Sequence, residues 1–199
     1  MKLQQSKRNS GFTLVELLIV VVILGLISAT VVATVSTNTD SATKLVLERT
    51  HRNMTNNWSQ LVAAAGVPKT VAANAVLATN ATAIDVLVYG VDFVVAAQQP
   101  NYDQSNILPL IESFTVDTVP VSGTSAGAYS VEGFGTTIAT PSTREFTSIY
   151  ASVPSSIVEL MWADQYSAAF VPGTPQTAGP IQYSAASGGT HTLTLSTTF

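Results

Sequence analysis

The sequence contains no cysteine. Disulfides, thiolate metal sites, cysteine nucleophiles and a lipid-modified cysteine are excluded together. Charge is scarce as well. The 8 basic and 12 acidic side chains make up 10% of 199 residues, against about 25% in an ordinary globular domain. Serine, threonine, asparagine and glutamine take the polar positions instead. Such a surface hydrogen-bonds with little charge, and suits a protein that packs against copies of itself or works outside the cell. The only histidines, His51 and His191, lie far apart in the chain, so no His-x-x-x-His zinc pair exists. A phosphate-binding glycine loop and a nucleophile elbow are missing too. The chain reads as a non-enzyme with no catalytic residue, no metal and no cofactor.

Weaker candidates reduce to structural readings. Asp103-Gln104-Ser105-Asn106 offers oxygen ligands for calcium, but off the spacing of an EF-hand, and reads as a solvated loop. Asn53-Met54-Thr55, Asn57-Trp58-Ser59 and Asn80-Ala81-Thr82 match the glycosylation sequon. Chance matches are expected in a chain this rich in threonine, and the first two fall on a predicted helix. Trp58 and Trp162 read as core anchors rather than a ligand platform.

What the chain does contain is a charge-patterned N-terminus. Lys2, Lys7 and Arg8, with no acid among them, precede an apolar run that extends from Phe12 to Val35 across weak interruptions at Ser28, Thr30 and Thr34. As a helix, about 24 residues reach roughly 36 Å, enough for a bilayer core of about 30 Å. The basic flank predicts a cytoplasmic N-terminus and an exported remainder. Glu16 stands inside this run. An acid at the centre of a membrane helix costs roughly 2.5–3.5 kcal/mol on insertion scales, less near the interface, so it calls for a partner. A cleaved secretory signal would have a shorter core and a small-residue cut site, which Ala29 or Ala33 could imitate. An uncleaved anchor fits the length but leaves Glu16 alone. Cleavage between Gly11 and Phe12 supplies a cation at the same end of the helix, the freed α-amine of Phe12. It also leaves five basic against twelve acidic side chains, a net of −7. No nucleic-acid partner is expected of so acidic a body, because phosphate binding needs clustered Lys and Arg.

Gly11-Phe12-Thr13-Leu14-Val15-Glu16 followed by an apolar helix resembles the N-terminal signature of type IV pilins and type II secretion pseudopilins. The resemblance covers residues 1–35 and, beyond them, only the general layout. It implies that a prepilin peptidase cleaves after Gly11, that the same enzyme N-methylates Phe12, and that Glu16 is required for assembly. It places Gly25 where helices of the family can loosen inside the filament. Two departures stand out. Many members carry a proline near the position of Ala33, and many close the C-terminal region with a disulfide; this chain has neither. The implied function is that of a structural subunit of an extracellular type IV pilus-like filament, polymerised through its N-terminal helix and serving adhesion, motility or surface attachment. A secretion pseudopilin and a minor pilin acting as a tip adhesin are the alternatives. The implied partners are other copies in a helical filament, the peptidase, an inner-membrane assembly platform, and the membrane before assembly. The implied location is the inner membrane as a single-pass prepilin, then the cell surface.

The rest of the chain predicts an α+β domain, with the long helix packed on an antiparallel sheet. Residues 1–11 form the cleaved leader, 12–35 the transmembrane and filament-core helix, 36–66 its amphipathic continuation and 67–199 the β-rich body. Leu47, Met54, Trp58, Leu61 and Ala65 recur at helical spacing as one apolar face. Asp40–Lys44 and Glu48–Arg52 are i,i+4 pairs in the favourable order, and Gly66 with Pro68 is a stop signal. Residues 67–83 are open between a short helix and a loop. Strands are expected at Ile84–Tyr89, Val91–Ala97, Phe114–Val119, Ala128–Phe134 and Glu145–Tyr150. Ser156-x-x-Glu159 reads as a capping box opening a helix over Ile157–Tyr166, and alternation at His191–Leu195 as a terminal strand.

Overall fold

The computed structural model describes residues 13–68, 70–104, 107–139 and 141–199. Helix α1 runs Leu14–Ala64 and contributes to two compact units, one ending at Thr39 and one comprising Asp40–Phe199. In the first unit the large apolar side chains from Leu14 to Ile27 are all 48–82% exposed. Among the described residues no helix is long and apolar enough to cross a membrane. The hydroxyls of Ser28 and Thr39 donate to the carbonyls of Leu24 and Val35, one turn back.

In the second unit the predicted apolar face of α1 is the core face. Leu47, Met54, Trp58 and Leu61 are fully buried and Ala65 nearly so. The helix closes where the stop signal stands. Gly66 takes φ +65°, Gly66 N–H donates to the Ala63 carbonyl and Val67 N–H reaches back to Val62. That pattern is the Schellman closure, which needs a residue tolerant of the left-handed region. The i,i+4 pairs fall out differently. Lys44 pairs with Glu48 at 3.8 Å and with Asp164 across the fold. Among the described residues Asp40 forms no ion pair, because Lys44 turns to Asp164 on another helix, and Arg52 forms none, Glu48 pairing with Lys44 instead.

Among the described residues the sheet has six antiparallel strands in the order β1-β2-β3-β4-β6-β5. They are β1 (Thr115–Thr118), β2 (Ala128–Val131), β3 (Phe134–Ile138), β4 (Glu145–Pro154), β5 (Ile181–Tyr183) and β6 (Thr190–Thr198). β4 and β6 pair along most of their length and form the spine on which α1 lies; Trp58 of α1 meets Phe146 of β4 at 6.3 Å between ring centroids. β4 carries a bulge between Tyr150 and Val153 with Ser152 at φ +59°.

Four sequence expectations need correction. Ile84–Tyr89 is not a strand but helix α2 (Ala83–Tyr89). Its seven residues are too few for the period to decide, and the deciding signal is the box Thr82-x-x-Asp85 at its start. Val91–Ala97 holds a 3₁₀ turn (Val91–Phe93) and a single bridge from Val94 to Leu77. Ala128–Phe134 is two strands, β2 and β3, joined by a tight turn at Glu132-Gly133, whose φ values are +51° and +81°. The helix near Ile157 exists as α4 (Ser155–Gln165), but its N-cap is Pro154 with no side-chain cap, so Ser156–Glu159 is not a capping box. Residues 67–83 contribute one 3₁₀ turn, Ala73–Val76, and α3 (Gln99–Gln104) was not foreseen.

Without a disulfide, the C-terminal region is held by rings. Trp162 of α4 stacks on Tyr166 at 4.0 Å and meets Tyr183 of β5 edge-on at 5.4 Å, while Phe170 packs on Tyr183 and His191. Trp162 Nε1–H also donates to the Ala168 carbonyl at 2.8 Å, which pins the loop after α4.

Candidate functional site

Gly11 and Phe12 lie outside the described residues. The site is therefore legible from Thr13 onward. Thr13 precedes the first residue of α1, and its hydroxyl accepts the Glu16 N–H at 3.3 Å. In return Glu16 Oε2 accepts the Thr13 backbone N–H and the Thr13 hydroxyl, both at 2.9 Å. This is a reciprocal capping box, in which two otherwise unpaired N–H groups of a helix start are satisfied. The first turn also carries the positive end of the helix dipole, which favours a carboxylate there. Glu16 Oε1 has no hydrogen-bond partner among the described residues.

Thr13 is the residue that sequence reasoning overlooked. The signal was present as Thr13-x-x-Glu16 directly before an apolar helix. Gly25 lies in regular α-helix, and a methyl group placed there would meet nothing within 4 Å. The Ser28 hydroxyl bonds the Leu24 carbonyl at 2.7 Å beside it, a bond type that competes with the helix ladder. Glycine itself destabilises a helix by about 1 kcal/mol relative to alanine. This part of α1 therefore combines two weakening features under a continuous apolar exterior.

The remaining chemistry-bearing residues serve the fold. His51 is buried on α1 between the sheet's two longest strands, with Nδ1 2.7 Å from Ser148 Oγ and Nε2 2.8 Å from Thr197 Oγ1. Burial, aided by the neighbouring Arg52, pushes its pKa down to about 4. The ring is neutral at ordinary pH and ties α1 to β4 and β6. His191 Nδ1 bonds the Ser184 carbonyl at 2.7 Å, so it carries the proton, and Nε2 receives the Ser155 hydroxyl at 2.9 Å. The ring is 2% exposed and enclosed by Phe170 and Tyr183, which makes the pair a clasp between α4 and the loop before β6.

Asp85 is fully buried and, among the described residues, meets no cation. Its Oδ2 accepts the Thr82 N–H and hydroxyl at 2.7 and 2.8 Å, and its Oδ1 accepts Gly127 N–H at 2.9 Å and the Tyr129 hydroxyl. Four donors stand in for a counter-ion. Burial and the bond to Asp85 raise the Tyr129 pKa.

Of the calcium candidates, Asp103 lies in α3, and Ser105 and Asn106 are outside the described residues. Among the described residues no group of three or more His, Asp or Glu side chains could hold a metal ion. Asn53 and Asn57 lie on α1, and Asn80 is exposed in a turn at φ +59°.

Residues 6–32 match the family model of the prokaryotic N-terminal methylation motif, the prepilin-type motif of type IV pilins and pseudopilins. The matched stretch includes Gly11, Phe12, Glu16 and Gly25. No curated protein and no solved structure matches the chain.

Proposed function

We propose that this chain is the structural subunit of an extracellular type IV pilus-like filament. It is inserted in the inner membrane through residues 12–35, cleaved after Gly11, methylated on the Phe12 nitrogen and polymerised through α1. The observation that carries the reading is the exposed apolar sleeve of α1, Leu14 to Ile27, with Glu16 at its head. A contiguous surface of this kind requires cover. Lipid covers it before assembly, and the same faces of neighbouring copies cover it afterward.

Glu16 gives the docking its direction. Oε2 is occupied by Thr13, and Oε1 takes the α-amine of Phe12 from the adjacent subunit. In a dry helical core an unmatched carboxylate is costly; removing one partner of a buried pair costs about 3–5 kcal/mol. A subunit whose leader has not been cleaved presents no such amine and does not dock. Gly25 and Ser28 supply a stretch of α1 that can loosen, its freed backbone groups finding partners in the packed core.

Electron microscopy of sheared surface material, with mass spectrometry of its main band, tests the proposal. The expected result is long fibres whose main protein begins at Phe12 with one extra methyl group. A cell surface without fibres of this chain would favour the pseudopilin, which shares the motif. A chain starting at Met1, or after Ala29 or Ala33, would refute the processing.

A further inference from the structure

The globular part of the second unit is electrostatically lopsided. From Thr70 to Phe199 the sequence holds nine acidic residues and one basic one, Arg144. Arg144 is exposed and makes no ion pair among the described residues. It ends the connection between β3 and β4, and its carbonyl accepts the N–H of Phe199, an exposed ring beside it. Glu145 follows it, also exposed.

At the other end of the sheet is a half-open groove of about 850 Å³ between α1 and the segment before β1. Leu108 and Ile111 on its outer wall are 76% and 56% exposed. Its rim carries three charges, Glu112, Glu132 and Arg49, none paired within the chain among the described residues. Glu132 sits in the β2–β3 turn with its backbone in the left-handed region, a conformation that favours Asn or Gly. Because β2, β3 and β4 are antiparallel neighbours, the β2–β3 turn and the β3–β4 connection lie at opposite ends of the sheet.

We propose that the groove is the seat for the Arg144 corner of a second copy of this chain. Phe199 enters against Leu108 and Ile111, Arg144 faces Glu132, and Glu145 faces Arg49. The corner brings a base, an acid and an exposed ring to a rim that holds two acids, a base and two exposed apolar side chains. The two patches differ and stand at opposite ends of one domain, so the contact is head-to-tail. Such a contact propagates into an open helical array instead of closing a dimer. The inference rests on the filament reading and adds to it a contact between globular domains. The rim charges set register and reject wrong approaches, in a domain whose other exposed acids repel one another.

A charge swap in cells that express only the full-length variant tests the contact. Arg144→Glu alone and Glu132→Arg alone are each expected to lower the yield of sheared filament at least tenfold, with the membrane pool of processed subunit unchanged. Combining them is expected to restore the yield to within about twofold of the wild type. Wild-type yield from either single variant overturns the contact and leaves the filament reading standing, as does a double variant no better than the singles. A wild-type strain that makes no filament of this chain overturns both.

Discussion

The Glu16 carboxylate accepts the backbone N–H and the hydroxyl of Thr13 through a single oxygen, Oε2. The acid that looks misplaced in an oily run thus has a local role as well as the intersubunit one proposed for it. It caps α1, and its other oxygen has no hydrogen-bond partner among the described residues. Two substitutions separate the roles. Glutamine at position 16 preserves the box, since its amide oxygen accepts the same bonds, but removes the charge. Glu16→Gln and Glu16→Val should therefore both be cleaved after Gly11 and both fail to polymerise alone. Glu16→Val should also fray the first turn, a loss of about 1 kcal/mol. Filament yield and N-terminal mass spectrometry are the measurements. Normal filaments from Glu16→Gln would mean that the cap, and not the charge, is what assembly requires.

His51 makes the globular unit sensitive to acid. Its pKa is about 4 in the fold against an ordinary 6.5. The fold therefore favours the neutral ring, so this contribution is complete above pH 6.5 and is lost as the pH falls from 6.5 toward 4. Over the whole window it amounts to about 3 kcal/mol. The charged neighbours on α1 are Glu48 and Arg52; from β4 and β6 the ring meets the hydroxyls of Ser148 and Thr197 and the ring of Phe146, none of them charged. Thermal melts should show the midpoint falling between pH 6.5 and 4, with a shallower fall in His51→Gln. Equal slopes in the two proteins would contradict the assignment.

Asp85 anchors α2 to the start of β2. Asp85→Ala leaves the Thr82 and Gly127 N–H groups and the Tyr129 hydroxyl without their acceptor, and should destabilise the domain by roughly 2–4 kcal/mol. Asp85→Asn keeps the volume but presents an amide donor to donors, and should also destabilise, by less. Urea melts of the two variants check the order. A loss below about 0.5 kcal/mol for Asp85→Ala would show the network to be dispensable.

The features legible in the sequence are those carried by long periodic patterns. The buried face Leu47, Met54, Trp58, Leu61 and Ala65 needed about five turns of helix to declare itself, and Gly66 marks its end. Short segments failed where length could not separate a period of 2 from one of 3.6. Ile84–Tyr89 is the instance, and there the local cap Thr82-x-x-Asp85 was the better guide. The β2–β3 hairpin stayed hidden because Glu-Gly occupies a turn where Asn-Gly is the usual signal. In the candidate site, Glu16 and the Gly11-Phe12 junction were visible as motif, while the partnership of Thr13 with Glu16 was written at box spacing and passed over. The Lys44–Asp164 pair and the groove near Glu132 depend on residues brought together only by the fold.

The unit from Asp40 onward has its own core and sheet. A fragment of residues 40–199 should fold cooperatively and remain monomeric at micromolar concentration, because the apolar sleeve is gone. Reducing agent should leave its melting curve unchanged, since no cysteine is present. Sedimentation and thermal melts test this; stable oligomers of the fragment that persist in the Arg144→Glu variant would move the seat of assembly away from residues 12–35.

The central claim is that polymerisation runs through α1, with the Glu16 charge met by the freed amine of a neighbouring subunit. A helical reconstruction of the filament measures it most directly. The account predicts a Glu16 carboxylate oxygen within ion-pair reach, about 4 Å, of the Phe12 nitrogen of an adjacent copy, inside a core built from residues 12–35. A map that placed every Phe12 nitrogen far from Glu16, or that left the sleeve of α1 outside the core, would contradict it.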